Sequence, residues 1–200
     1  MRRILVLALV VLATACATDD GRTLQDPTFD PPLPPTTLEN GELVVPDFTN
    51  GVGGMAIVSP AFEPGDPIPS VHAAAGDNTS PPFTFSMIPD GVAELALVVT
   101  NPDSDNAIHW VVTGIDPSIG SLPEGSLPDG AEEQTSHFGV ENWVGPNTPA
   151  GETHRYVFNL YGLADPIDIN DNFSTNDTVE LIRQRAATGA TATIMGTHQG

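Results

Sequence analysis

A proline- and glycine-rich turn that runs directly into a strand constrains the fold of this chain more than any other feature. Residues 145–163 read GPNTPAGETHRYVFNLYGL. Pro146 and Pro149 fix φ and remove backbone donors, while Gly145 and Gly151 permit conformations that other residues avoid. The turn should therefore hold one bent shape. The alternation of residue types after it predicts a strand that begins beside this rigid bend.

Period two in that strand places Tyr156, Phe158 and Leu160 on one face. Residues 94–100 (ELALVVT) are mostly apolar and β-branched, which predicts a buried strand in the middle of a sheet. The chain has 20 prolines and 19 glycines among many short apolar runs. This pattern is typical of a turn-rich β-protein in which helix is the minority.

A further strand is predicted at residues 108–113, where alternation places His109 on the face opposite to Ile108 and Trp110. On that face the ring of His109 would meet a cavity. The segment after this strand, residues 116–135, is rich in glycine, proline and acids, and we predict an exposed excursion there.

One helix is predicted near the C-terminus. Asp177 is the expected N-cap, Glu180 completes a capping box, and Gly189 ends the helix. A final strand is expected over residues 190–195.

Four segments resemble motifs of one family and occur in the order of that family. They are GDNTSPPFTF at 76–85, NPDSD at 101–105, HWVV at 109–112 and GPNTPAGETHRY at 145–156. The family is that of the phosphatidylethanolamine-binding proteins, particularly its bacterial, Raf-kinase-inhibitor-like branch, and the resemblance covers residues 52–198. It implies an all-β fold: a β-sandwich with a central antiparallel sheet and a short C-terminal helix.

The resemblance also implies a small pocket for phosphate or a phosphorylated head group. The residues that would line it are Asp103, His109, Gly145, Pro146, His154 and Tyr156. Imidazoles can donate to phosphate oxygens, most strongly when protonated, a carboxylate can orient an imidazole, and a tyrosine hydroxyl can add a donor. Two alternatives remain open: buried structural histidines bonded to carbonyls, or a metal site of Asp103, His109 and His154 in an enzyme.

The chain departs from the usual pattern of the family at both ends of the implied pocket. Asn101 stands where aspartate is usual, Ser104 and Asp105 replace Ala-Pro, and His198 stands near the position of a tyrosine. His198 would either add a third imidazole to the pocket mouth or belong to a frayed terminus.

The N-terminal region predicts export. Residues 1–15 have a basic start, an apolar run shorter than the roughly 20 residues that span a bilayer, and a small-residue cleavage site, as in a signal peptide. Cys16, the only cysteine, resembles the lipidated cysteine of a bacterial lipobox; simple secretion after Ala15 is the alternative. Residues 16–50 predict an acidic, proline-rich tether, and residues 51–200 the folded domain.

The formal net charge of -20 argues against nucleic acid as a partner, since duplex binding requires cationic neutralisation of phosphates. The sequence therefore predicts a lipid-anchored binding protein of the cell envelope, not an enzyme, without cofactor or metal. Its partners would be a small anion or phospholipid head group and, through Cys16, the membrane. The alternative function is a protein inhibitor or scaffold that engages an envelope protein through the pocket rim and residues 116–135.

Overall fold

A computed structural model describes residues 54–170 and 172–200. The predicted signal peptide (1–15), the lipidation site Cys16 and the tether (16–50) lie outside the described residues. Within the described part of the chain, no helix has the length and apolar character needed to cross a membrane.

Two antiparallel sheets and one α-helix form the domain. The larger sheet has five strands in the order β6-β4-β3-β7-β8, and the smaller has three in the order β1-β2-β5. The elements are β1 (Ala56–Val58), β2 (Phe83–Ser86), β3 (Glu94–Asn101), β4 (Ala107–Ile115), β5 (Ser121–Leu122), β6 (Glu132–Gln134), β7 (Thr153–Leu163), α1 (Thr175–Arg185) and β8 (Ala186–Gln199). The predicted all-β class, with its central antiparallel sheet and short helix, is confirmed.

The larger sheet is covered on both faces, which explains why β3 at its centre is almost entirely apolar. Leu97 and Val99 belong to the core that the two sheets enclose. Ala96 and Val98 belong to a second cluster that includes Val179 of α1. The prediction of a buried strand in mid-sheet is therefore confirmed.

A β-bulge in β4 overturns the predicted face of His109. Val99 of β3 pairs with Trp110, but the next residue, Thr100, pairs with Ile108, so His109 is an extra residue in the ladder. A bulge bends the strand and redirects side chains locally. The ring of His109 consequently packs against Tyr156, whose face also carries the core, while Ile108 joins the cluster under the helix.

The helix begins earlier than the sequence pattern predicted. Ser174 is the N-cap, and its hydroxyl and the carboxylate of Asp177 form a reciprocal capping box. Asp177 is therefore the third helical residue and not the cap. The helix ends at Arg185, and Gly189 lies inside β8 with φ of 77°, where the pairing with β7 is interrupted.

The predicted exposed excursion at 116–135 contains two short strands. β5 pairs with β2, and β6 forms an edge of the larger sheet beside β4. Glu133 of β6 accepts a hydrogen bond from Nε1 of Trp110 at 2.6 Å, which fastens this edge to the core. The segment is exposed or half-buried as predicted except at Leu122 of β5, which is buried.

Candidate ligand-binding site

The turn before β7 is fixed by its close approach to residues 72–78. The backbone N–H of Gly145 donates to Oδ1 of Asn78 at 2.8 Å, and the carbonyl of Pro146 accepts from the N–H of Ala74 at 3.0 Å. A Cβ on residue 145 would overlap the backbone carbonyl of His72. Glycine is required here for space, and the two residues shape the site through their backbone.

The same turn positions the ring of His109. Nδ1 of His109 donates to the carbonyl of Val144 at 2.8 Å, and its ring contacts Tyr156 edge to face with 5.1 Å between centroids. Phe138, half exposed, packs on the ring with centroids 4.8 Å apart. Burial lowers the pKa of His109, against the opposing effect of the Val144 bond, and nearby His137 lowers it further. His109 is therefore a neutral ring with its proton on Nδ1 at neutral pH.

His154 lies on the same strand face as Tyr156, and both of its nitrogens have partners. Oδ1 of Asn101 accepts from the backbone N–H of Asp103 at 3.1 Å, which orients the amide so that its nitrogen lies 3.1 Å from Nδ1 of His154. Nε2 of His154 lies 2.9 Å from Oε2 of Glu152. Since the amide nitrogen can only donate, Nδ1 accepts and Nε2–H donates to Glu152.

Asp103 binds Arg155 and forms no hydrogen bond to an imidazole in the described structure. Its two carboxylate oxygens lie 2.6 and 3.0 Å from Nη2 and Nε of Arg155, and it also accepts from the backbone N–H of that residue at 2.8 Å. These bonds hold the pKa of Asp103 below its ordinary value. The orienting contact predicted for Asp103 is instead made by Asn101.

Tyr156 is fully buried and shares its hydroxyl with the turn. The N–H of Asn147 donates to Oη at 3.2 Å, and Oγ1 of Thr148 lies 3.3 Å away. The hydroxyl of Thr148 donates its only hydrogen to the carbonyl of His198 at 3.2 Å. Its oxygen therefore accepts from Oη of Tyr156 and from Nδ1 of His198, which lies 3.0 Å away. The Tyr156 hydroxyl thus donates its hydrogen to Thr148, and it does not offer the donor that was expected for a ligand.

His198 belongs to this cluster and not to a frayed end. It pairs with His154 across β7 and β8, so the two side chains share a face, and its ring meets Tyr156 edge to face at 6.5 Å. Beyond it, the N–H of Gly200 donates to the carbonyl of Glu152 at 3.1 Å. Burial lowers the pKa of His198.

The structure therefore brings together His109, His154 and Tyr156, shaped by the 144–148 turn, and adds His198. Asp103 stands apart with Arg155, which points to the opposite strand face. Across residues 54–170 and 172–200, no three His, Cys, Asp or Glu side chains are grouped as metal ligands would be.

Two open polar cavities lie outside this cluster. One, of about 460 Å³, includes Glu132, Glu133 and Glu141 in its lining; the other, of about 300 Å³, includes Glu133 and Trp143. Neither is lined by histidine or arginine. Three glutamates in the first cavity and one in the second, with no cationic side chain in either, make both poorly suited to an anion.

Residues 58–199 match a known protein family. The sequence model described as "Phosphatidylethanolamine-binding protein" matches residues 58–199. The chain belongs to the phosphatidylethanolamine-binding protein family. The predicted resemblance is thus confirmed.

Relatives and solved structures of the family support the assignment over most of the chain. "Putative lipoprotein LppC" of Mycobacterium tuberculosis is 36% identical over 197 residues, covering 97% of this chain and 93% of the relative. "UPF0098 protein YbhB" of Escherichia coli is 30% identical over 135 residues, covering 60% and 85%. The crystal structure of Escherichia coli YbcL, described as a new member of the mammalian family, superposes with a TM-score of 0.68 at 26% identity, covering 73% of this chain and 98% of YbcL.

The sequence did not point to the contacts of Asn101 and Glu152 with His154. For His198 it left open a place at the pocket mouth or in a frayed terminus. The alternation at 190–195, extended by four residues, would have placed His198 on a strand, but its pairing with His154 depends on the register between β7 and β8.

Proposed function

We propose that this protein is an exported binding protein that holds a small anionic group, phosphate or a phospholipid head group, among His109, His154 and His198. One observation carries the proposal. The rings of His109 and His198 both contact Tyr156 edge to face, and each is held through Nδ1. Their Nε2 atoms have no hydrogen-bond partner among the described residues.

The proposal requires these Nε2 atoms to be reachable from solvent. In agreement with this, no fully buried side-chain nitrogen or oxygen of the described residues lacks a partner, although His109 is only 3% exposed. A solvent-reachable nitrogen on a fixed ring is suited to an anion, because little ordering is needed when it binds.

The pKa values set the pH at which such an anion would bind. Burial lowers the pKa of both His109 and His198, so each ring is neutral at pH 7.5 and presents a lone pair at Nε2. Protonation converts that atom into a charged donor. Binding of an anion should therefore be coupled to proton uptake, and affinity should rise as the pH falls below about 6.5.

Titration calorimetry with inorganic phosphate and with phosphoethanolamine at pH 5.5 and 8 tests the proposal. His109→Asn and His198→Asn are suitable variants, because the amide nitrogen can replace Nδ1 while Nε2 is lost. We expect binding at pH 5.5 that each variant weakens about tenfold or more, the loss of one charge-assisted hydrogen bond. Gln199→Ala, on the neighbouring exposed residue, is the control. Absence of binding at both pH values would refute the proposal.

We propose binding without turnover, and attachment of the domain to the cell envelope through a lipid on Cys16. The similarity to a protein named as a lipoprotein supports the attachment. Phosphorus NMR should show phosphoethanolamine unchanged after prolonged incubation. Fatty-acid labelling of the wild type, lost in Cys16→Ser together with a shift to the soluble fraction, tests the anchor; equal fractionation of the two proteins would contradict it.

A further inference from the structure

The carboxylate of Glu152 occupies the hydrogen-bonding position on His154 that an anion would use. Oε2 of Glu152 lies 2.9 Å from Nε2 of His154. The histidine side chain is 9% exposed and that of the glutamate 59%. An exposed, charged group therefore covers the open edge of a buried ring.

The ring can offer no other hydrogen. The amide of Asn101, oriented by the backbone N–H of Asp103, donates to Nδ1. The neutral ring consequently carries its single proton on Nε2, and that proton is given to Glu152. A ligand that reaches His154 must displace this carboxylate or leave His154 uncontacted.

The glutamate side chain can leave without disturbing the turn that carries it. Its backbone is held on both sides, since its N–H donates to the carbonyl of Pro149 at 3.0 Å and its carbonyl accepts from Gly200 at 3.1 Å. The side chain has its one hydrogen bond, among described residues, to His154. Rotation about its χ angles would free Nε2 while the backbone stays in place.

We propose that Glu152 is a built-in competitor for the anion site. The carboxylate of Glu152 is tethered beside His154, so its effective concentration there is about mM or higher. A free monocarboxylate such as acetate makes the same single hydrogen bond, and at similar concentration it does not displace the glutamate. An anion with several oxygens can also engage His109 and His198, and only such an anion displaces it. Glu152 would thus select phosphate-type ligands against acetate. This inference rests on the proposed function.

Calorimetry with inorganic phosphate and with acetate at pH 6, on wild type, Glu152→Gln and Glu152→Ala, tests the inference. We expect about tenfold tighter phosphate binding in Glu152→Ala, equivalent to one lost competing interaction, and a smaller gain in Glu152→Gln, whose amide oxygen can still accept from Nε2–H. Acetate binding should be measurable in Glu152→Ala and not in wild type. Glu124→Gln, which removes the same charge from the segment between β5 and β6, is the control for net charge. Thermal unfolding should show all variants folded.

The possible failures are distinguishable. Equal phosphate affinity in wild type and both Glu152 variants overturns the competitor role and leaves the anion site intact. Weaker binding in the variants also overturns it, since Glu152 would then contact the ligand. Binding of phosphate by none of the proteins overturns both proposals. Nitrogen-15 NMR adds a direct readout: phosphate should move the Nε2–H resonance of His154 in wild type, as Glu152→Ala does, and an unmoved resonance counts against displacement.

Discussion

The side-chain amide of Asn101 and the imidazole of His154 form a buried pair, with 3.1 Å between Nδ2 and Nδ1. The other end of the amide accepts from the backbone N–H of Asp103. The direction of the amide therefore fixes which nitrogen of His154 carries the proton. Aspartate, usual at this position in the family, can only accept when ionised, and it would require a proton on Nδ1.

Asn101→Asp should place a proton on Nδ1 of His154, and Nε2–H keeps its bond to Glu152 only when the ring is doubly protonated. The introduced carboxylate has no hydrogen to donate, so Nδ1–H must become the donor. Nitrogen-15 NMR of labelled histidine should show a protonated Nδ1 in the variant and a bare Nδ1 in the wild type. The same nitrogen pattern in both proteins would contradict the amide orientation described above.

The stability of the domain should fall as the pH decreases below about 6.5, because His109 and His198 have lowered pKa values. Between the lowered folded value and the ordinary value, the unfolded chain binds more protons than the folded one. The contribution of the two histidines to stability is thus complete above their pKa in the unfolded chain. It is lost as the pH falls toward their lower pKa in the folded protein. Urea midpoints at pH 7.5 and 5.5 measure the loss.

His109→Asn should reduce that pH dependence, since the amide keeps a donor for Val144 but does not titrate. The comparison is between the change in unfolding free energy from pH 7.5 to 5.5 in the variant and in wild type. If the variant loses as much stability as wild type over this interval, His109 does not contribute to acid sensitivity.

Asp103→Asn should destabilise the domain by only about 1 kcal/mol, because the Arg155 side chain is 54% exposed and solvent screens the pair. For a domain of this size the melting temperature should fall by roughly 2–4 °C. Because the pKa of Asp103 is lowered in the folded state, the difference in unfolding free energy between wild type and variant is complete above pH 3.8. It disappears as the pH falls through the pKa of Asp103 in the folded protein.

Asp105→Asn serves as the control for that measurement. Asp105 is exposed, and its backbone has the left-handed conformation, with φ of 48°, which asparagine also tolerates. Equal destabilisation by the two substitutions would show that loop charge, and not the bond to Arg155, is responsible.

Gly145→Ala should destabilise the domain by about 1–3 kcal/mol or more, because the new Cβ overlaps backbone atoms that cannot rotate away. Gly91→Ala is the comparison: it has space around it and only the cost of a positive φ, about 1–2 kcal/mol. Denaturant unfolding of both variants measures the difference. A smaller loss for residue 145 than for residue 91 would contradict the close approach to His72.

Local pattern was enough to predict the central strands β3 and β7 and their buried faces. Alternation of Tyr156, Phe158 and Leu160 gave the correct buried face of β7, and the apolar run of β3 gave its central place. The helix cap could also have been found, because Ser174 and Asp177 have the three-residue spacing of a capping box.

Contacts that depend on strand register could not be read from local sequence. The bulge at His109 arises from how β4 pairs with β3, and a shift of one residue exchanges the faces. The pairing of His154 with His198 joins residues 44 positions apart (198 − 154). The resemblance to a family singled out His109, but the contacts of Asn101 and Glu152 with His154 are visible only in the folded structure.

The extra residue in β4 has a consequence for how this domain can be altered. Removing His109 altogether would bring Ile108 and Trp110 next to each other, opposite the adjacent residues Thr100 and Val99, and the pairing would become regular at this point. Such a deletion should yield a domain that folds with a smoother sheet and has lost one of the histidines that surround Tyr156. The irregularity therefore places an imidazole against Tyr156 at the expense of regular strand pairing, and a single-residue deletion would separate the two.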